Sequence, residues 1–139
     1  MKLSIRNQLP GTVTDLTPGE AMATVHVQLT GGQRVVAAIT RDAAEDLELT
    51  GGTPVRVLLK STEVSLATGP TDHLSTRNRI PGTVTRVTTG EAMATVRVRV
   101  DGGELTSAIT REAAQDLHLT PGTPVHALIK STDVALAIP

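Results

Sequence analysis

The sequence contains no Phe, Tyr, Trp or Cys. Without aromatic side chains, a hydrophobic core has to be built from Val, Leu, Ile, Ala and Met. Without cysteine, neither a disulfide nor a thiolate metal site can stabilise the fold. Aromatic rings are also the surfaces on which proteins stack the bases of single-stranded nucleic acids. Their absence therefore weighs against a nucleic-acid-binding function.

An excess of charge and a long apolar run are missing as well. The 13 basic and 14 acidic residues leave a net charge of −1, which gives no general attraction to nucleic acids or anionic membranes. No segment approaches the roughly 20 apolar residues that a membrane span needs. The start of the chain, Met1 to Pro10, is polar and lacks the apolar stretch of a signal peptide. These features predict a cytoplasmic protein that has neither a membrane nor a nucleic acid as partner.

The chain repeats one pattern twice. The matching ranges are 3–32 with 74–103, at an offset of 71, and 38–67 with 108–137, at an offset of 70. One residue is missing from the second copy, between Gly103 and Ala108, where a hairpin can absorb the loss. Because a repeat of this kind sets the architecture, we predict a first domain at residues 1–67, a linker at 68–73 and a second domain at 74–139.

Each copy has only about 65 residues, a size at which a single hydrophobic core is marginal. Aromatic residues and disulfides, which would help a small domain, are absent. The two units are therefore expected to pack on each other and on further copies of the chain. This argument predicts a homo-oligomer.

Alternation of apolar and polar residues predicts strands throughout both copies. The clearest case is Ala21–Leu29, where Ala23, Val25, Val27 and Leu29 fall on one face of a half-buried strand. In the first copy, strands are predicted at Leu3–Leu9 (ending at Pro10-Gly11), Thr12–Leu16, Ala21–Leu29, Val35–Ile39, Val55–Leu59 and Val64–Ala67. In the second copy, they are predicted at Leu74–Ile80, Thr83–Val87, Ala92–Val100, Leu105–Ile109, Val125–Ile129 and Val134–Ala137.

One short helix interrupts the strands of each copy. Thr40 can cap a helix, and the alanines and acidic residues that follow it favour a helix ending near Leu47. The second copy has its helix near Arg111–Leu117. The predicted fold is all-β, with two tandem five-stranded barrels of the oligonucleotide/oligosaccharide-binding type, each holding one short helix. A small roll or sandwich is the alternative.

Signs of an enzyme are weak. The four histidines occupy non-equivalent positions in the two copies, and none has a partner at metal-ligand spacing. Asp46 and Asp116 do repeat, but solvated charges on a helix face are their simplest interpretation. The pairs Gly31-Gly32 and Gly102-Gly103 lack the lysine and hydroxyl residue of a phosphate loop, so they indicate hairpin turns. We predict that the chain is not an enzyme and has no direct cation ligands.

Small polar residues beside single basic residues are repeated more faithfully. Such a set suits a tetrahedral oxyanion, which prefers several short donors and limited positive charge. Thr40 and Thr110 add helix starts whose first N–H groups lack helical partners. The candidate ligands from this argument are Ser4, Arg6, Thr40, Lys60 and Ser61, and in the second copy Ser75, Arg77, Thr110, Lys130 and Ser131.

At these residues the chain resembles the molybdate-binding Mop (molbindin) family. The matching elements are Ser-x-Arg-Asn followed by Gly-x-Val, then Ala-Ile-Thr before a short helix, then Leu-x-Lys-Ser. They lie at Ser4–Asn7, Ala38–Thr40 and Leu58–Ser61, and again at Ser75–Asn78, Ala108–Thr110 and Leu128–Ser131. The resemblance covers nearly the whole chain and is closest to the tandem, cytoplasmic storage proteins of that family.

The resemblance implies a trimer of two-unit chains that binds molybdate, or tungstate, where subunits meet. It adds Asn7, Ala43 and Ala44 to the first ligand set, and Asn78, Ala113 and Ala114 to the second. Relatives often carry a serine where this chain has Ala43 and Ala113, so only the backbone N–H survives at those positions. Whether Arg6 and Arg77 act through backbone or guanidinium stays open.

The function that the resemblance implies is reversible capture of the oxyanion for storage and homeostasis. The alternative is a molybdate-sensing module that acts on a protein partner.

Overall fold

The computed structural model describes residues 1–139 and is all-β, with two curled five-stranded sheets and two short helices. This confirms the predicted fold class. In the first half, the elements are β1 Asn7–Pro18, β2 Met22–Leu29, β3 Arg34–Thr40, α1 Arg41–Asp46, β4 Pro54–Leu59 and β5 Ser65–Ala67. In the second half, they are β6 Asn78–Thr89, β7 Met93–Val100, β8 Gly103–Thr110, α2 Arg111–Asp116, β9 Pro124–Ile129 and β10 Ala135–Ala137. A single 3₁₀ turn precedes β5 at Ser61–Glu63 and β10 at Ser131–Asp133.

The alternation predicted for β2 is confirmed by its burial. Ala23, Val25, Val27 and Leu29 are buried, and every second residue between them is exposed. Together with their counterparts they belong to one continuous cluster of 27 buried aliphatic residues with members from both halves. The two small units therefore share a single core, and burial of that aliphatic surface is the main stabilising term.

The predicted strand end at Pro10-Gly11 is wrong, because β1 runs without a break through both residues. Pro10 lies opposite Arg56 of β4, and its carbonyl accepts from the Thr30 N–H at 3.0 Å on the other side. The register with β2 ends at Gly11, so the N–H that proline lacks is not needed there. At Gly11 the strand begins to pair with β2 as well. A Cβ at Gly11 would lie 2.8 Å from the carbonyl oxygen of Gln28, which explains the glycine. The Pro-Gly pair marks a change of strand partners, and the same holds in β6.

The closing strands are exchanged between the two units. The first sheet has the order β10-β4-β1-β2-β3, and the second has the order β5-β9-β6-β7-β8. Each sheet therefore takes its fifth strand from the other half of the chain. The exchange also carries the 3₁₀ turn of each unit onto its partner: Ser61–Glu63 packs against β8, and Ser131–Asp133 packs against β3.

Two buried asparagines join the units near these crossings. Asn7 donates from Nδ2 to the Thr106 carbonyl and accepts from the Thr106 N–H, both at 2.8 Å. Asn78 does the same with Val36, at 2.9 and 2.7 Å. Each amide thus continues the hydrogen bonding of the edge strand of the opposite sheet, which leaves no backbone group unpaired at that point.

No helix in the chain is both long and apolar enough to cross a membrane.

Candidate functional site

The two Lys-Ser-Thr segments contain two of the three buried side-chain polar atoms that lack a hydrogen-bond partner, the third being Gln33 Oε1. The hydroxyl oxygens of Ser61 and Ser131 are shielded from solvent, yet neither has a hydrogen-bond partner. A buried hydroxyl without a partner costs free energy, about 1–3 kcal/mol, and is rare in folded proteins. Because the same hydroxyl lacks a partner in both copies, we infer that a ligand or a group from another chain supplies the missing hydrogen bond.

Lys60 and Lys130 precede these serines and are exposed. Neither lysine belongs to any of the ion pairs in the chain, which involve His26, Arg41 and Arg97. Both ammonium groups are therefore free to meet an anion beside the serine hydroxyls.

The Ser-x-Arg segments form a bend in each copy. Arg6 donates from Nε to the Ser4 carbonyl, and Arg77 donates in the same way to the Ser75 carbonyl, both at 3.1 Å. The guanidinium groups thereby fix the local backbone, while the Ser4 and Ser75 hydroxyls stay exposed.

The helix starts are occupied by their own caps. The Thr40 hydroxyl accepts from the Ala43 N–H and the Thr110 hydroxyl accepts from the Ala113 N–H, each at 3.1 Å. Each threonine therefore already caps its helix.

The methyl groups of Ala44 and Ala114 lie in the core, 6% and 4% exposed. Only the backbone of either residue could reach a ligand. The side-chain amides of Asn7 and Asn78 are committed to the opposite unit, so these two residues have a structural role whatever else they do.

Two grooves are each lined by some of the predicted residues and combine the two units, although neither is lined by Ser61 or Ser131. One, of about 420 Å³, is lined by Thr40 and Ala43 of the first unit and by Thr132 and Val134 of the second. Its floor is otherwise aliphatic. Because of the strand exchange, α1 therefore faces the 3₁₀ turn that follows Lys130.

The second groove, of about 310 Å³, has a mixed charge. Lys130 and Thr76 line it together with Glu63 from the other unit, and Asp133 lies on the same wall. It joins the bend that contains Ser75 to the second Lys-Ser-Thr segment. The nearby carboxylates of Glu63 and Asp133 repel an anion, so Lys130 and neutral donors would have to outweigh them if an anion bound in this groove.

Cation binding has no comparable support. The chain has no group of three His, Asp or Glu side chains placed to hold a metal ion. His26, His73 and His118 are exposed. The geometry offers hydrogen-bond donors and ammonium groups rather than cation ligands.

Sequence reasoning missed one polar residue close to this region. Ser107 is fully buried in β8, and its hydroxyl donates to the Val64 carbonyl directly after the first 3₁₀ turn. Its counterpart in the repeat is Ala37. A comparison of positions where the two copies differ would have singled it out.

A family model described as the TOBE domain matches the chain twice, at residues 3–66 and 74–136. The Azotobacter vinelandii molybdenum transport protein ModE is 36% identical over 139 residues, which are 99% of this chain and 52% of ModE. The Rhodobacter capsulatus molybdenum-pterin-binding protein MopB is 36% identical over 141 residues, which are 100% of this chain and 52% of MopB. The chain thus spans about half the length of these two relatives.

A solved structure matches this chain from end to end. The cytoplasmic molybdate-binding protein ModG, crystallised with molybdate bound, is 39% identical, with a TM-score of 0.97 and full coverage of both chains. The prediction of a non-enzymatic protein is confirmed by these relatives. Together with the two domain matches, the similarity shows that this chain belongs to the TOBE-domain family, in the tandem form that ModG shares.

Proposed function

We propose that this protein binds molybdate, or tungstate, and releases it again, so that it stores the oxyanion in the cytoplasm. The observation that carries the proposal is the pair of buried, unpartnered hydroxyls at Ser61 and Ser131, each beside a free lysine. Similarity to a molybdate-bound protein over the whole chain supports the choice of anion.

The donor set fits a tetrahedral dianion. Hydroxyls and ammonium groups can donate to its four oxygens, and charge-assisted hydrogen bonds are about twice as strong as neutral ones. Ser4 and Ser75 add exposed hydroxyls on bends that their own arginines hold in place. Selection against smaller oxyanions would then rest on the size of the cavity as well as on charge.

We further propose that a homo-oligomer, a trimer in the simplest form, closes the grooves. In the single chain they are open, and Met22 lies at the rim of the larger one with 46% of its surface exposed. Met93, its counterpart, is 47% exposed. A second copy that covered these side chains would bury apolar surface and exclude water from the anion. Anion binding and assembly would then stabilise each other by mass action.

We propose that the repeating units are residues 1–67 and 74–139, joined by a linker at 68–73. These units are defined by sequence, because each folded sheet contains strands from both sides of the linker. The alternative of a molybdate-sensing module has no observation of its own in this chain.

The test is replacement of Lys60 and Lys130 by alanine, singly and together. The only other lysine, Lys2, is exposed and outside the proposed site, so Lys2→Ala is the matched control. Loss of a charge-assisted hydrogen bond, worth about 1.5–3 kcal/mol, should weaken molybdate binding about 10- to 100-fold at the altered site. Isothermal titration calorimetry with molybdate, tungstate and sulfate measures the effect, and light scattering gives the mass in solution.

Unchanged affinity in the double variant would remove these lysines from the site. Failure of the wild-type protein to bind either molybdate or tungstate would overturn the proposed function.

A further inference from the structure

The two Lys-Ser-Thr segments have the same sequence but different anchors. After the first, the Val64 carbonyl accepts a hydrogen bond from the Ser107 hydroxyl of the opposite unit, at 2.5 Å. After the second, no side-chain hydrogen bond reaches the Val134 carbonyl, because the residue equivalent to Ser107 is Ala37. Both Ser107 and Ala37 are completely buried, and their strand registers correspond: Ala37 pairs with Val25, and Ser107 pairs with Val96.

The anchored residue, Val64, is itself hydrogen-bonded to Ser61, which bears the unpartnered hydroxyl. Val64 donates its N–H to the Ser61 carbonyl at 3.3 Å, which closes the first 3₁₀ turn. Val134 and Ser131 repeat this contact at 3.4 Å. A buried hydroxyl such as that of Ser107 requires a partner, so its bond to Val64 is held by the surrounding core. Val64 therefore makes two hydrogen bonds, one to Ser61 in its own turn and one to Ser107 in β8. Val134 makes only the equivalent of the first of these.

We propose that Ser107 is a positioning residue that makes the two anion sites unequal. It pre-organises Ser61, so the site that contains Ser61 binds the oxyanion more tightly than the site that contains Ser131. The inference rests on the proposed function, since it assumes that both serines donate to the anion. A segment already held in its binding conformation loses less conformational entropy when the ligand binds, so the ligand binds more tightly.

The difference in affinity between the two sites should not exceed the free energy of one hydrogen bond. A typical net contribution of about 0.5–1.5 kcal/mol corresponds to a two- to tenfold difference in dissociation constant between the sites. Titration of the assembled wild-type protein with molybdate should therefore show two classes of site in equal number.

The experiment exchanges the two residues. Ser107→Ala should convert the tighter class into the weaker one, so that a single weak class with twice the number of sites remains. Ala37→Ser should install the missing hydroxyl opposite Val134 and convert the weaker class into the tighter one. Because Ala37→Ser adds a group where Ser107→Ala removes one, it still tests the inference if the alanine variant folds poorly. Circular dichroism verifies that each variant is folded.

The doubly exchanged variant, Ala37→Ser with Ser107→Ala, separates positioning from stability. In the wild-type background, Ser61→Ala should abolish the tighter class and Ser131→Ala the weaker one. In the exchanged background these assignments should be reversed, which a mere loss of stability cannot produce.

Equal affinity at both wild-type sites, or assignments that stay unchanged after the exchange, would overturn the inference while molybdate binding itself stood. If molybdate did not bind to the wild-type protein at all, the proposed function itself would be wrong.

Discussion

The two halves of the molecule have nearly the same backbone but different surfaces. On the outer face of the first sheet, Asp15 lies opposite His26, with 3.6 Å between the carboxylate and the imidazole. On the second sheet, Arg86 lies opposite Arg97, and Glu104 approaches Arg97 to 3.8 Å. A complementary pair in one half is thus a pair of like charges in the other. Exposed pairs contribute little to stability, so the fold tolerates the change.

The features that the two halves have in common include contacts between the units. Asn7 and Asn78 form the same pair of bonds to the opposite edge strand, and the two hairpin tips touch at Gly31 and Gly102. Most contacts between the units are therefore shared, with the Ser107–Val64 bond as an exception, whereas the outer faces differ. Variants at equivalent positions can test that conclusion.

The largest effect is expected from Asn7→Ala and Asn78→Ala. Each removes two hydrogen bonds and leaves a half-buried N–H and carbonyl of the other unit unpaired, at a cost of about 2–4 kcal/mol. Equal losses of unfolding free energy in urea would show that the two junctions are equivalent. Gln28→Ala, on the exposed face of β2, is the control and should change little. A loss at one asparagine alone would contradict the symmetry of the junction.

Gly31→Ala should come next. A Cβ at this position would overlap the Asp101 carbonyl oxygen, so the hairpin tips would have to separate. We expect a cost of about 1–3 kcal/mol, in the range for overpacked contacts. Gly103→Ala in the opposite hairpin is the control, because a Cβ added there would have no heavy atom within 4 Å. Equal unfolding midpoints for the two variants would show that the tips can part without cost.

A smaller gain is expected where each helix ends. Glu48 and His118, at equivalent positions, have φ of 53° and 52°, a conformation that glycine adopts more easily. Glu48→Gly and His118→Gly should each stabilise the protein by about 0.5–1 kcal/mol in thermal unfolding. Asp46→Gly, inside α1, should act in the opposite direction. Destabilisation by both glycine variants would mean that their side chains make contacts that outweigh the strain.

The smallest effect concerns the outer faces themselves. Arg86→Asp would give the second sheet an opposite-charge pair, and Asp15→Arg would bring a second basic group opposite His26. We expect changes of about 0.5 kcal/mol or less, stabilising for the first and destabilising for the second. Unfolding in low salt should reveal them, and about 1 M salt should remove them by screening. A large effect that persisted in high salt would assign the outer faces a structural role.

Local patterns in the sequence predicted the elements well. Alternation from Ala23 to Leu29 indicated β2, and Thr40 before two alanines indicated a capped helix. Repetition of Lys60-Ser61 at Lys130-Ser131 identified the segments whose hydroxyls are now found buried and unpartnered. The strand and helix predictions succeeded because burial and capping depend on residues only a few positions apart, whereas the ligand set stays a prediction.

Amino-acid order alone therefore determined the strands, the helices, the twofold repeat and the residue types available to an anion. The folded chain decided which unit completes which sheet, why β1 passes through Pro10 and why Ser107 holds Val64. Asn7 shows the reason: it bonds to Thr106, 99 positions away. A short-range pattern carries no signal for such a partner, because the choice depends on how two shared sheets pack around one core.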